Sequence, residues 1–224
     1  MSATFVSATG TDVGKTFVTC ALIARLRARG ATVEAIKPVV SGFDPAALPA
    51  SDPGLLLAAL GREVTMAEAE RISPWRFKAP LSPDVAATRE GRIIDFAAVT
   101  GFCEKAVAGR GHVFIEGIGG IMVPLDARHT VLDLISQLRL PLLLVAGSYV
   151  GTISHTLTAL HVLARRNLDI AAIVVSQSEA SAAALDDTVA AIARFSDSID
   201  VVGIPRLTDA AGGHPAFARL AQLL

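Results

Sequence analysis

The chain has 224 residues, a formal net charge of −1 and 52% hydrophobic content, with a mean hydropathy of +0.52. This near-neutral balance gives no electrostatic ground for a nucleic-acid or anionic-membrane partner, so a small molecule is the expected ligand. The apolar runs, such as "LPLLLVAG", fall short of the ~18–20 residues of a membrane span and read as strands buried on both faces.

No linker, repeat or low-complexity block divides the chain, and residues 1–224 are expected to form a single domain. The start, "MSATFVSATG", lacks the charged and long apolar regions of a secretory signal. Cys20 and Cys103 fall within apolar helical patterns, so a cytoplasmic protein with two reduced, inert thiols is expected.

In chain order, a strand over "ATFVSA" leads into a helix from Gly14 to about Arg29, then a strand "TVEAIK" and a short helix after Asp52. A helix from about Asp95 to Ala108, the strand "HVFIE" and a helix near "TVLDLISQL" follow. The pattern continues with "PLLLVA", a helix over "TISHTLTALHVLARR", "IAAIVV", a helix over "ALDDTVAAIARF", "VVGI" and a last short helix. Residues 38–51 and 72–91 show no clear periodicity and read as long loops. Repeated strand and helix predicts an α/β fold with an open, mostly parallel sheet and helices on both faces, like that of P-loop nucleotide hydrolases. Ligands bind such sheets beyond the carboxyl ends of the strands.

The stretch "TFVSATGTDVGKTF" puts Gly14-Lys15-Thr16 between a strand and an apolar-periodic helix, where a phosphate-binding loop must sit. Loop amides and the helix start would face phosphate oxygens, Lys15 would bridge the outer phosphates and the Thr16 hydroxyl would ligate Mg2+. Thr9 stands where the usual pattern has glycine, and Gly10 supplies flexibility one residue later. Gly10-Thr11-Asp12 occupies the K-G-G positions of switch ATPases with a K-G-G-x-G-K-T loop, so their signature lysine is missing.

"HVFIEGIGG" ends a strand in Glu116, the usual place for a second magnesium-supporting carboxylate. Gly117, Gly119 and Gly120 would let the backbone approach a ligand closely. Lys37 closes the second strand and points toward the same crevice, as a second cation for a reaction that builds negative charge near ATP. Asp52 before Pro53 fits either a metal ligand or a helix start. His155 and His161 have no evident third ligand and read as packing or partner-facing, and Asp186 and Asp187 as a solvated helix face.

Together, "TGTDVGKT", "IKPVVSG", the "SD" at 51 and 52, "RFKAPLSPDVAA", "IEGIGGIMVPL", "LPLLLVAGSYVGTISHTLTAL" and "VGIPRL" resemble, in order and across nearly the whole chain, the dethiobiotin synthase family. The resemblance implies a homodimer that uses ATP, Mg2+, 7,8-diaminononanoate and CO2 or bicarbonate to make dethiobiotin, by way of a carbamate and a carbamic-phosphoric anhydride. It implies that Lys15 and Lys37 are catalytic and that Thr16, Asp52 and Glu116 hold the metal. For ATP it implies Thr11, Asp12, Val13, Gly14, Phe17, Gly117, Ile118, Gly119, Ser176, Gln177, Pro205, Arg206 and Leu207, with the metal ligands and Lys15 among them. For the diamine it implies Ser41, Thr11 and, at a helix start that the family takes from the partner subunit, Gly151 and Thr152. Ser176-Gln177 stands where members often have asparagine, Asp84 where histidine is common, and the late-helix tyrosine of many members is absent.

Two other readings share the loop. A carboxylate-activating amide synthase would need a further glutaminase domain, for which the chain has no room. A nucleotide-switched partitioning or targeting ATPase would carry the missing lysine.

Overall fold

The computed structural model describes residues 2–179, 183–207 and 211–224. β1 (Ser2–Ala8) leads through the phosphate loop into α1 (Lys15–Ala28), then β2 (Val33–Ile36). The next segment holds β3 (Val39–Val40), a 3-10 helix over Pro45–Ala50, α2 (Asp52–Ala59), α3 (Met66–Ile72), β4 (Trp75–Arg76) and α4 (Pro83–Arg89). After α5 (Phe96–Val107) come β5 (His112–Glu116), α6 (Val131–Leu138), β6 (Leu142–Gly147) and α7 (Thr152–Arg165). The chain ends with β7 (Ile170–Ser176), α8 (Leu185–Ala193), β8 (Val201–Ile204), a 3-10 turn over Ala211–Gly213 and α9 (Pro215–Leu223).

Six strands form one parallel sheet in the order β2-β5-β1-β6-β7-β8. The inner strands β5 and β6 are buried along their whole length, as expected of strands covered on both faces by crossover helices. Edge strand β8 alternates buried and half-buried residues. The order reverses at β1, which lies between β5 and β6, so the loop after β1 opens onto the crevice where parallel sheets bind ligands. The register sets Val6 beside Glu116, and the Gly117 N–H donates to the Val6 carbonyl at 2.9 Å. That pairing brings the end of β5 alongside the phosphate loop.

Two expectations are corrected. Residues 38–51 and 72–91 are not irregular loops: β3 pairs in parallel with β4, and α4 occupies the end of the second stretch. Two-residue strands are too short to show a period. Pro83 at the first position of α4 starts a helix whose seven residues also carry little pattern. The segment is tied down by the Lys78 N–H on the Glu90 carboxylate at 2.7 Å and by the Arg92 guanidinium 4.4 Å over the Phe77 ring. The helix α3 was not anticipated, although Thr65, whose hydroxyl accepts from the Glu68 N–H, announces it in a Thr-x-x-Glu start.

Other helix ends follow their sequence signals. The Asp95 carboxylate accepts from the Ala97 and Ala98 amides at the start of α5, and the backbone N–H and hydroxyl of Thr130 both donate to Asp133 at 2.8 Å at the start of α6. Asp186 and Asp187 are exposed in the first turn of α8, where they complement the helix dipole. Cys20 is half-buried and Cys103 buried; burial pushes both thiols up to about 12, so neither is a ready thiolate. Among the described residues no helix is long and apolar enough to cross a membrane.

His112 opens β5 in a buried position, with the Ser2 hydroxyl 2.6 Å from Nδ1 and the Thr4 hydroxyl 3.1 Å from Nε2. Burial lowers its pKa from 6.5, so the fold holds it neutral. Once the pH falls below 6.5 the unfolded chain takes up this proton and the folded chain does not, so stability declines toward the lowered folded value and then levels off. Urea unfolding of the wild type and His112→Gln across pH 5–8 checks this, with a shallower decline expected in the variant. Parallel profiles would count against a neutral buried imidazole.

Candidate active site

Gly14 caps α1 in a left-handed conformation, φ 95°, and a Cβ there would meet the Ser176 hydroxyl at 2.8 Å. The loop's other left-handed residue is Asp12, φ 56°. Gly10 has no positive φ, so the flexibility expected of it falls to Asp12, a residue type that tolerates this region. The loop therefore needs no glycine at Thr9 to turn its amides inward.

A cavity of about 390 Å³ opens above the sheet and is lined by Thr11, Asp12, Gly14, Lys15, Thr16, Phe17, Lys37, Val40, Ser41, Asp52, Ile118 and Gly119. A neighbouring cavity of about 590 Å³ shares Asp12, Gly14 and Phe17 and is completed by Val13, Ser176, Gln177, Ser178, Glu179, Pro205, Arg206 and Leu207. The two spaces meet at the phosphate loop, so a phosphate chain seated there would have one cavity at each end.

Lys37 lies one residue past β2, buried at 3% exposure. Its ammonium donates to Glu116 Oε1 at 2.6 Å and sits 2.8 Å from Asp52 Oδ2. The Thr16 hydroxyl donates to the same Glu116 oxygen at 2.7 Å. Glu116 is fully buried behind this cluster, and its Oε2 is buried with no hydrogen-bond partner among the described residues. Burial opposes the charge on Lys37, but the carboxylates of Glu116 and Asp52 outweigh it and hold the pKa above the usual lysine value. Burial likewise opposes the Asp52 charge, and Lys37 brings its pKa below the usual carboxylate range.

Lys15 is held differently. Among the described residues its ammonium donates only to the Gly10 carbonyl, at 3.3 Å, and burial followed by repulsion from Lys37 lowers its pKa to about 8. It is the under-neutralised cation of the pair, suited to incoming phosphate oxygens.

Asp52 owes its position to a tight junction. The Ser51 hydroxyl donates to the Leu48 carbonyl at 2.7 Å and accepts from the Gly54 N–H at 3.3 Å, so Ser51 caps α2 and leaves the Asp52 carboxylate for the cluster. A Cβ on Gly54 would stand 2.0 Å from the Leu48 carbonyl oxygen. Gly54→Ala is therefore expected to push α2 off this segment at a cost of about 1–3 kcal/mol. Differential scanning calorimetry should show the melting temperature lowered by roughly 2–12 °C, and an unchanged value would mean that the junction relaxes freely. Gly54 carries no motif of its own in the sequence; its place two residues after a candidate ligand is the available signal.

Not every expected residue meets at this cavity. The close approaches at Gly117 and Gly120 are to the chain's own Phe5 ring and Thr9 backbone, and only Gly119 of the three lines the space. Gly151 and Thr152 start α7 and line neither of these cavities; the buried Thr152 hydroxyl donates to the Gly147 carbonyl at 2.8 Å. Gln177 Oε1 accepts from the Arg206 backbone N–H at 3.0 Å, which ties the two sides of the second cavity together. Asp84 lies in the first turn of α4, and its Oδ1 is buried with no hydrogen-bond partner among the described residues. His155 is exposed with Nδ1 2.9 Å from the Tyr149 hydroxyl, and His161 is exposed at a separate cavity.

Fold and loop define the class: a P-loop nucleotide protein. Solved structures agree on the fold alone, with the cell division ATPase MinD of Pyrococcus furiosus at a TM-score of 0.57 and 17% identity, covering 100% of this chain and 98% of that one. The MinC:MinD complex of Aquifex aeolicus follows at 0.56 and 13%, covering 99% and 94%. A family model described as "AAA domain" matches residues 2–212. The "ATP-dependent dethiobiotin synthetase BioD" of Caulobacter vibrioides is 48% identical over 208 residues, 92% of this chain and 93% of the relative. The protein of the same name from Methylobacterium nodulans is 45% identical over 222 residues, 96% of each. The chain belongs to the ATP-dependent dethiobiotin synthetase family.

Proposed function

We propose that the chain closes the ureido ring of dethiobiotin from 7,8-diaminononanoate, CO2 and ATP in the cavity that Lys15, Thr16, Lys37, Ser41 and Asp52 share. The observation that carries this reading is the convergence of both lysines and both carboxylates at the end of the phosphate loop, in a cavity whose described lining holds neither a cysteine nor a histidine. Such a site suits a reaction whose substrates supply every nucleophile.

The loop amides and Lys15 bind the outer phosphates of ATP, and the nucleoside lies toward Ser176, Gln177 and Pro205–Leu207. Thr16, Asp52 and Glu116 fit Mg2+: they offer hard oxygens, and the buried, unpartnered Glu116 Oε2 has acceptor capacity to spare. When bound, Mg2+ would neutralise phosphate charge. Lys37 and Ser41 orient the carbamate formed from one amine and CO2. A carbamate oxygen attacks the γ-phosphorus, ADP leaves, and the second amine attacks the carbamoyl carbon; phosphate departs with the oxygen it gained, and the proton that each amine gives up goes to solvent.

The diamine's remote carboxylate calls for an anion site apart from the phosphate loop that ATP occupies. Gly151 and Thr152 begin a helix whose amides suit an anion, and exposed Val150 and Ile153 stand beside them, which supports a homodimer in which the partner's helix start completes the substrate site. A mass of two chains in sedimentation is expected. The site needs no membrane or nucleic acid, and the cytoplasm, where ATP and bicarbonate are at hand, is the proposed location.

The oxygen route provides the test. With 18O-labelled bicarbonate in ordinary water, one labelled oxygen should appear in the released phosphate and another in the cyclic urea. Unlabelled phosphate, whose one new oxygen comes from water, would mean hydrolysis, as a nucleotide switch performs it.

A further inference from the structure

Lys37 holds the oxygens that a divalent cation would need. Its ammonium lies 2.6 Å from Glu116 Oε1 and 2.8 Å from Asp52 Oδ2. The Thr16 hydroxyl, the third of the oxygens assigned to the metal, spends its proton on the same Glu116 oxygen. Glu116 meanwhile keeps a fully buried Oε2 without a hydrogen-bond partner among the described residues, so one ammonium does not satisfy the pair of carboxylates. A lysine ammonium and a divalent cation cannot share these oxygens at bonding distance, because their like charges repel.

We propose that Lys37 is an internal stand-in for the divalent cation, and that metal loading and release of Lys37 from the carboxylates are one exchange. The inference rests on the reading of Asp52 and Glu116 as metal carboxylates. In the nucleotide-free protein the lysine neutralises two carboxylates that would otherwise repel each other. Freed by the metal, it keeps its place at the cavity wall but turns its charge toward the carbamate and the transferring phosphoryl group. One side chain thereby serves the folded, metal-free protein and the loaded one, and the lysine is offered to substrate only when the metal is in place.

Mn2+ titration followed by electron paramagnetic resonance, without nucleotide, tests the exchange. Lys37→Met, with Lys37→Gln as a second variant that keeps a hydrogen-bonding end, should bind Mn2+ at least about tenfold more tightly than the wild type. Lys15→Met is the control, since it removes an equal charge nearby but frees no carboxylate oxygen, and it should tighten binding far less. Equal gains in the Lys15 and Lys37 variants would reduce the effect to general electrostatics and overturn the exchange, as would no gain in any variant. Glu116→Gln separates the two claims. Loss of Mn2+ binding in Glu116→Gln with no gain in Lys37→Met would leave the metal site standing and refute the exchange, whereas Mn2+ binding that ignores Glu116→Gln would refute the metal site itself.

Discussion

Lys37→Ala should lower ring closure by about 10²–10³-fold, the scale of removing one charge-stabilising donor from a preorganised site, while MgATP affinity falls by no more than a few fold. The asymmetry follows from position. Lys15 sits at the phosphate loop with no carboxylate in contact with its ammonium among the described residues, whereas Lys37 enters from the end of β2, on the side where Ser41 lines the cavity. The charge that Lys37 meets is the one built during transfer, so its removal falls on turnover more than on nucleotide capture. ADP release with saturating diamine and bicarbonate, beside equilibrium binding of a fluorescent ATP analogue, measures both quantities at a temperature where the variant is folded. Turnover near the wild-type rate would remove Lys37 from the chemistry.

Glu116→Ala should be the most destabilising single change at the site. Glu116 is fully buried and gives Lys37 its shortest contact, at 2.6 Å. Without it Lys37 is left with Asp52, whose side chain is 41% exposed and so screened by water. Removing one member of a buried pair costs on the order of 3–5 kcal/mol, which for a chain of this size lowers the melting temperature by roughly 6–20 °C. Glu116→Gln, which keeps the shape and a carbonyl for Thr16 and Lys37, should lose less. Calorimetry of the two variants decides the matter, and a Glu116→Ala protein that melts with the wild type would mean that water enters and solvates Lys37 at little cost.

Much of this site was legible because its chemistry is local in sequence. Gly14-Lys15-Thr16 between a strand and a helix fixes the phosphate loop, and a charged residue closing an apolar strand, as Lys37 and Glu116 do, must lie at the sheet edge that faces ligand. The parallel sheet was legible for the same reason, since strands such as "LLLVAG" are buried on both faces and show no alternation. What stayed hidden depends on pairs far apart in the chain. The β3 to β4 pairing joins two-residue strands separated by 34 residues between Val40 and Trp75. The dual grip of Lys37 on Asp52 and Glu116 is likewise invisible without the fold, and so is the role of Gly54, whose constraint is a carbonyl belonging to the preceding turn. Asp52 itself read equally well as a helix start or a ligand; Ser51 takes the capping role, which leaves the carboxylate free for Lys37.

Phosphate release from MgATP, measured with and without 7,8-diaminononanoate plus bicarbonate and paired with mass spectrometry of the product, tests the central claim most directly. Release that requires both additions, with one cyclic urea formed per phosphate, is the predicted result. Release that proceeds equally without the diamine, or that leaves no ring, would contradict it.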